Sequence, residues 1–455
     1  MIGYSLNEKV VKSKTNWLLF AFLFTLMVLP RWYYVENFAV ALPFWDQWDA
    51  EWVGLLKPWT ENKLVFSNLW INHNEHRIVP TRLMTLLCFE LSGVWSNMVE
   101  ARLNILLGVS TPLLLIWLLY RKGELSGFRW LVVAVIVADA TMPFSWENML
   151  IGFQSQFYFL NLFTLLSMAL AVYRPQSIGI MLIVTGLCVL SVLTMASGLI
   201  TPIAVAFVYS LNNYVQQRWS ARTLVMFAIL FLIGITGYIT MPNIAAHHFL
   251  HAQNMTEMIK TTIRIMGWPL TDHKLYIGLL WLPTLITIPA MLVNRRFKRI
   301  DLLMFGCFIW TGAQVLALAY GRGHELYDVA SRYTEILLLG LAGNAWFVIR
   351  ATEEFTTHRK ARISLHIVAF TFFSAIFYSH AQRLPRDLEA MKMDHELRLI
   401  QTNNVYLYLK TGDKRVLEKP RMHIPYPNVE GFRNILDHTG VRKLLLPDPS
   451  DPNNQ

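Results

Sequence analysis

The residues of this chain that could do chemistry gather in five short stretches. The first is Trp45–Asp46–Gln47–Trp48–Asp49–Ala50–Glu51, and the second is His73–Asn74–Glu75–His76–Arg77. Ser145–Trp146–Glu147–Asn148, Gly321–Arg322–Gly323–His324–Glu325 and Ser331–Arg332–Tyr333 follow. A carboxylate such as Asp46 or Asp49 suits a general base, which must sit within hydrogen-bond reach of the proton it removes. The same carboxylate is also compatible with a divalent cation. Arg77, Arg322 and Arg332 suit an anionic group, because a planar guanidinium bonds two phosphate oxygens at once. Arg82, five residues beyond Arg77, joins them as a contact for an anionic headgroup. Glu75, His76, Glu147, His324 and Tyr333 complete the candidate substrate-binding set. His73-x-x-His76 is not the His-Glu-x-x-His zinc pattern, so a hydrogen-bonded loop is the plainer reading and no metal ligand set is assigned. Arg332 also has a competing role as the i, i+4 helical partner of Asp328.

Such stretches need elements to hold them, and the elements on offer are apolar helices. Of 455 residues, 54% are apolar and only 15% charged, against about 25% charged in ordinary soluble domains. That deficit excludes a string of soluble domains, a disordered chain, a coiled coil and a nucleic-acid binder. Crossing a hydrocarbon core of about 30 Å takes about 20 apolar residues. Eleven runs approach that length: Asn16–Tyr34, Ala101–Tyr120, Trp130–Met142, Phe153–Tyr173, Ile178–Thr194, Leu199–Leu211, Leu224–Met241, Leu275–Val293, Leu302–Tyr320, Tyr333–Ile349 and Ile363–Tyr378. Three are short, so the expected fold is an all-α polytopic membrane protein with about eleven transmembrane helices, within a range of ten to twelve. Cys88, Cys188 and Cys307 each fall in an apolar run and read as buried small hydrophobes.

Basic residues in short loops set the expected orientation. Lys9, Lys12 and Lys14; Arg121, Lys122 and Arg129; Arg174; Arg218 and Arg222; Arg295, Arg296, Lys298 and Arg299; and Arg350, Arg359, Lys360 and Arg362 occupy alternate connections. These loops are expected to be cytoplasmic and to hold little beyond orienting charge. The formal net charge of +10 is then an orientation signal. The N-terminus lies inside and the C-terminus outside. Ala39–Val40–Ala41 resembles a cleavage site, but the first run is expected to stay as an anchor.

All five chemistry-bearing stretches fall in the outer connections, so a working site at the outer membrane surface is expected. The transmembrane part covers residues 1–380, with a first outer loop over 35–100. A small extracytoplasmic region covers 381–455, and an intermediate outer segment covers Pro242–Lys274. Trp45, Trp48, Trp52, Leu55, Leu56 and Trp59 repeat at helical spacing. They predict a helix in the interface plane with its tryptophans at headgroup depth. Asp46 and Asp49, three apart, are expected on its opposite face. Further amphipathic pieces cover Leu64–Ile71 and Val79–Leu91. A helix over Arg386–Lys410 should open the tail, whose prolines then break it up and whose last residues fray.

This layout resembles the GT-C superfamily of polytopic glycosyltransferases. Trp45–Glu51 sits where such proteins carry an acidic motif, shortly after the first membrane helix. Together with Asn74–Arg77 and Ser331–Tyr333, it is similar to phage-type O-antigen glucosyltransferases. The resemblance implies a bacterial inner-membrane enzyme that moves a sugar from a polyprenyl-phosphate donor to a glycan or lipid-linked acceptor. Transfer would be inverting, with Asp46 or Asp49 as catalytic base and Arg332, Arg322 or Arg77 on the leaving phosphate. Trp45, Trp48 and Trp146 would stack on sugar faces. Many members have adjacent acids, whereas here Gln47 follows Asp46, which leaves open which aspartate serves and whether a metal is needed. No cofactor is required by this reading, and membrane lipids rather than nucleic acid are the partners. The rival from another class is a transporter or flippase for a lipid-linked glycan. It predicts polar residues near mid-membrane in two related halves, and no repeat is visible. A glycan polymerase or ligase would put its large loop late in the chain, and an acyltransferase would need a His or Asp cluster in the cytoplasmic loops.

Overall fold

Each of the eleven apolar runs winds into a helix, which satisfies its backbone polar groups internally where no water can reach them. In chain order these are α1 Trp17–Phe38, α2 Asn97–Arg121, α3 Trp130–Thr141, α4 Ser155–Tyr173, α5 Ile178–Val192 and α6 Ile200–Val215. Then come α7 Ala221–Ile239, α8 Tyr276–Val293, α9 Arg299–Arg322, α10 Ser331–Glu354 and α11 Arg359–Thr411. The computed structural model describes residues 16–445 apart from 123, 176, 218, 271–275, 325, 327 and 356–357. Lys9, Lys12, Lys14, Arg218, Glu325 and the chain end beyond 445 lie outside the described residues. Among the described residues, nine helical stretches are long and apolar enough to cross a bilayer, and α5 and α8 are shorter apolar helices. Among the described residues there is no β-strand. The chain is therefore an all-helical, multi-pass membrane protein.

Its centre is α10, buried from Tyr333 to Thr352 between α3, α8, α9 and α11, as a helix that is apolar on all sides should be. Gly340 permits the closest approach: a Cβ there would come within 2.5 Å of Thr311 on α9. Small residues serve this purpose wherever membrane helices pack backbone to backbone. α7, by contrast, exposes Leu224, Val225, Phe231 and Leu232, the pattern of a lipid-facing helix. The three cysteines are free and buried.

At the C-terminal end of α10 the basic loops do more than orient. Asp301 accepts from Arg350 Nε (3.0 Å) and from Trp346 Nε1 (2.8 Å). Arg350 also bonds Glu353 (2.8 Å) and Glu354 (2.7 Å), while Arg129 joins Glu353 (2.8 Å) and Glu124. These arginines are fixed members of an ion network, which corrects the expectation that the loops carry little beyond free charge.

The other end of the bundle is built from the first loop and the tail together. α11 passes through Pro385 without ending, so the helix expected over Arg386–Lys410 is the distal part of the last apolar helix. Gly412, with φ +70°, stops it in the left-handed conformation glycine allows. The chain then folds back onto the first loop. Trp48, Trp52 and Trp95 pack with Phe432, Val441 and Leu444 in a second core. Ring centroids stand 5.0 Å apart for Trp48–Trp95 and 4.8 Å for Trp48–Phe432. Trp48 is fully buried and Trp52 nearly so, which overturns their expected place at headgroup depth. The tail supplies the apolar partner that a bare interfacial helix would have sought in lipid. Phe66 and Trp70, on the short helix Phe66–Trp70, do stay exposed.

Candidate functional site

The second stretch folds into a tight turn. His73 and His76 exchange backbone bonds (2.7 and 2.9 Å), and Asn74 takes a left-handed φ of +50°, which asparagine tolerates. The turn sends its three titratable side chains in different directions. His76 Nδ1 accepts from the Ala196 amide at 3.0 Å, so its proton is on Nε2 and the ring is neutral. Burial, with the nearby charges of His73 and Arg322, brings its pKa down to about 4 against the pull of Glu75 and Asp46. Glu75 meets His247 Nδ1 at 2.5 Å. Burial raises the Glu75 carboxyl, but the His247 bond and nearby positive charge outweigh this and hold it below its usual range. His247 belongs to the Ala245–Leu250 turn of the segment after α7, which is thereby fastened over the turn. Arg77 and Arg82 are spent on structure. Arg77 donates to the carbonyls of Trp70 and Thr240, and the buried Arg82 donates to those of Leu69, Ile71 and Arg77.

His73 reaches the acidic motif: its Nε2 lies 3.5 Å from Asp46 Oδ1, with the Asp46 side chain still 50% exposed. Burial raises the Asp46 pKa, but the His73 bond and the charges of His73, His76 and Arg332 more than offset it. The net shift is below the ordinary 3.8. Asp46 is an ionised, accessible carboxylate beside His73 and Arg332. Asp49 turns elsewhere, accepting from Tyr426 of the tail at 2.7 Å. The expected shared face fails: Asp46 precedes the π-helix Trp48–Leu56 and Asp49 lies inside it, and the two carboxylates meet different partners. The interior of the motif is held by residues that spacing did not single out. Glu51, buried, accepts from Trp95 Nε1 (2.8 Å) and Gln47 Nε2 (3.1 Å), and Gln47 accepts in turn from the Phe44 amide (3.0 Å). Burial pushes the Glu51 carboxyl up to about 7. Gln47 thus occupies an inward structural position. Trp45 and Ile78, at the edges of the two stretches, hold φ of +46° and +49°, conformations that cost bulky residues about 1–3 kcal/mol and cluster at functional sites.

The third and fifth stretches come together. Glu147 accepts from Ser331 Oγ (2.7 Å), from the Arg332 amide (3.1 Å) and from Arg332 Nη1 (3.0 Å). Its carboxylate caps the N-terminus of α10, where the helix dipole favours negative charge. Asn148 Nδ2 donates to the Arg332 carbonyl (2.9 Å). Arg332 lies over the Tyr333 ring, 5.0 Å from its centroid, and keeps 39% of its side chain exposed. The i, i+4 alternative fails: Asp328 pairs with Arg386 of α11 instead. Tyr333 itself is buried. Arg322 stands near enough to lower His76, and its guanidinium has no partner among the described residues. His324 points away, to Glu257 at 3.3 Å. Trp48 is closed to any sugar face, whereas Trp45 and Trp146 are half-buried.

Beneath this lies a second polar layer that isolated residues in apolar runs did not announce. Arg31 of α1 donates to the Ala140 carbonyl (2.7 Å) and faces Glu335 of α10 at 3.8 Å, and Asp139 of α3 stands 3.8 Å from His380 of α11. All four are buried. Asp139 and Glu335 lie within about one turn of their helix ends, Glu335 three residues beyond Arg332 on α10. Polar groups are therefore not confined to one face, as the sequence led us to expect. Among the described residues, no group of three or more His, Cys, Asp or Glu side chains converges as a metal site.

The fold and the site define a multi-pass helical membrane protein with an acid–histidine–arginine cluster at one end, roofed by its own first loop and tail. No family model, curated protein or solved structure matches the chain.

Proposed function

We propose that this protein is a membrane glycosyltransferase of GT-C type, moving a sugar from a polyprenyl-phosphate donor to a glycan or lipid-linked acceptor. The observation that carries this reading is Asp46: an accessible carboxylate held ionised beside His73 and Arg332, with Arg322 near the neighbouring His76. Asp46 takes the proton of an acceptor hydroxyl as that oxygen bonds to the sugar C1. The C1–O bond to the phosphate breaks, its electron pair leaves with polyprenyl phosphate, and the single displacement inverts C1. Arg332 and Arg322 offset the charge that grows on the phosphate. The site end is extracytoplasmic in this reading, because the basic short loops gather at the opposite end and favour the cytoplasm. The membrane is the bacterial inner membrane, with the N-terminus inside and the tail outside. Nucleotide sugars are absent there, so the donor must arrive on lipid.

The buried layer of Arg31, Asp139, Glu335 and His380 favours a second reading, a transporter or flippase for a lipid-linked glycan, since intramembrane charge often marks a path. Its place near the ends of α3 and α10, rather than through two related halves, supports the first reading. The test is to incubate purified protein with a panel of polyprenyl-phosphate hexoses and cell-envelope acceptor extract. Label should appear in glycan; no transfer from any hexose overturns the proposal.

Two smaller expectations belong to the same site. A base must be unprotonated to act, so kcat/KM should stay level with falling pH until below 3.8, the ordinary aspartate value. His73→Leu removes the His73 bond while burial remains, so the acid limb should move to higher pH. An unmoved limb would separate His73 from the base. Glu147→Ala frees Arg332 from the position it holds by the α10 N-terminus. Steady-state rates should show kcat/KM falling on the order of tenfold to a hundredfold, with Arg332 still present.

A further inference from the structure

The tail does more than cover apolar surface, because one stretch of it lies directly along the acidic motif. The Trp45 amide donates to the Pro425 carbonyl (2.9 Å), and the Tyr426 hydroxyl donates to Asp49 (2.7 Å). Arg421 lays its guanidinium 5.1 Å from the Trp45 ring centroid. Two side chains of α11 clamp this stretch from behind: Gln401 donates to the Met422 carbonyl (2.8 Å) and Asn404 to the His423 carbonyl (3.0 Å). The stretch is thus carried by a rigid helix and not left as a loose end. Arg421 is exposed and has no carboxylate within ion-pair distance among the described residues. Among the described residues none of its five N–H donors has an acceptor.

We propose that residues 420–426, with Trp45 and Asp49, form a saccharide-binding rim that seats the acceptor beside Asp46. The chemistry on offer is that of a polyol ligand. A guanidinium fork bonds a neighbouring hydroxyl pair, and Asp49 Oδ2, beside the oxygen that Tyr426 holds, accepts a further hydroxyl, while the half-buried Trp45 and Tyr426 give aromatic surface for the C–H face of a ring. Arg421 and Asp49 are both exposed, so the rim opens to water, as a glycan chain requires. Asp46 is the residue next to Trp45, so a sugar ring held on Trp45 brings its hydroxyls to the carboxylate. The assignment of the bound saccharide as acceptor rests on the transferase reading; the rim itself does not.

The test uses full-length protein in detergent on a printed array of neutral and acidic bacterial glycans, together with acceptor-dependent transfer kinetics. Wild type should retain at least one glycan, Arg421→Ala should lose tenfold or more of that binding, and Arg421→Lys should recover part of it. Tyr426→Phe, which frees Asp49, should lose a few-fold. In transfer, Arg421→Ala should raise the KM for acceptor while the KM for donor stays constant. Thermal unfolding at the wild-type temperature shows that the exposed Arg421 was removed without loss of fold. A wild type that retains no glycan, or an Arg421→Ala protein that binds equally, overturns the rim. If glycans bind through Arg421 but no donor is ever consumed, the rim stands and the transferase reading falls. If sugar is transferred and Arg421→Ala leaves the acceptor KM unchanged, the rim falls and the transferase stands.

Discussion

Replacing Asp46 with asparagine is expected to lower sugar transfer by about 10²- to 10⁴-fold, the range general-base removal typically costs. Asparagine is nearly isosteric and can still hydrogen-bond His73, so folding should be unaffected. The Asp46 side chain is half exposed and supports no core. Asp49 gives the contrast. Its carboxylate is engaged by Tyr426, so Asp49→Asn should slow transfer only a few-fold, through the tail. Initial rates with saturating donor separate the two residues. An Asp46→Asn enzyme within threefold of wild type, or an Asp49→Asn enzyme that is the dead one, would reverse the assignment that the sequence leaves open.

Trp48→Ala should open the roof of the site. Trp48 is fully buried against Trp95 and Phe432, and truncating a buried tryptophan costs about 3–5 kcal/mol. That cost falls on the body made by the first loop and tail, not on the membrane helices, whose own core is separate. Limited proteolysis should therefore cut after Gly412 far sooner in the variant, while far-ultraviolet circular dichroism keeps its helical intensity. Transfer should fall with tail docking, since the π-helix that carries Trp48 begins two residues after Asp46. Equal protease resistance in variant and wild type would mean that the tail does not hold the loop.

What was legible in the sequence depends on how far apart the cooperating residues lie. The apolar runs are local, and each became a helix. The stretches at Asp46, His76, Glu147, Arg322 and Arg332 were also visible, because polar residues stand out against an apolar background. Their pairing was not visible. Glu147 and Arg332 are 185 positions apart, and the nearer Asp328 looked the natural partner by helical spacing. Trp48 and Trp52 looked interfacial because their covering residues, Phe432 and Val441, come from the far end of the chain. Arg77 looked free because carbonyl acceptors such as those of Trp70 and Thr240 leave no mark in a sequence. Arg31, Asp139, Glu335 and His380 sit singly in four different helices, so only packing makes them a cluster. Gln47 looked like a missing acid, and its bond to buried Glu51 shows that this position faces inward.

Mass analysis of the donor lipid separates a transferase from a transporter most directly. Wild-type protein and an Asp46→Asn control are reconstituted in liposomes loaded with polyprenyl-phosphate hexose, and envelope glycan acceptor is added outside. The site described above predicts free polyprenyl phosphate and an acceptor heavier by one hexose with wild type, and neither product with Asp46→Asn. Intact sugar-bearing lipid that only changes leaflet, with no polyprenyl phosphate released, would contradict it.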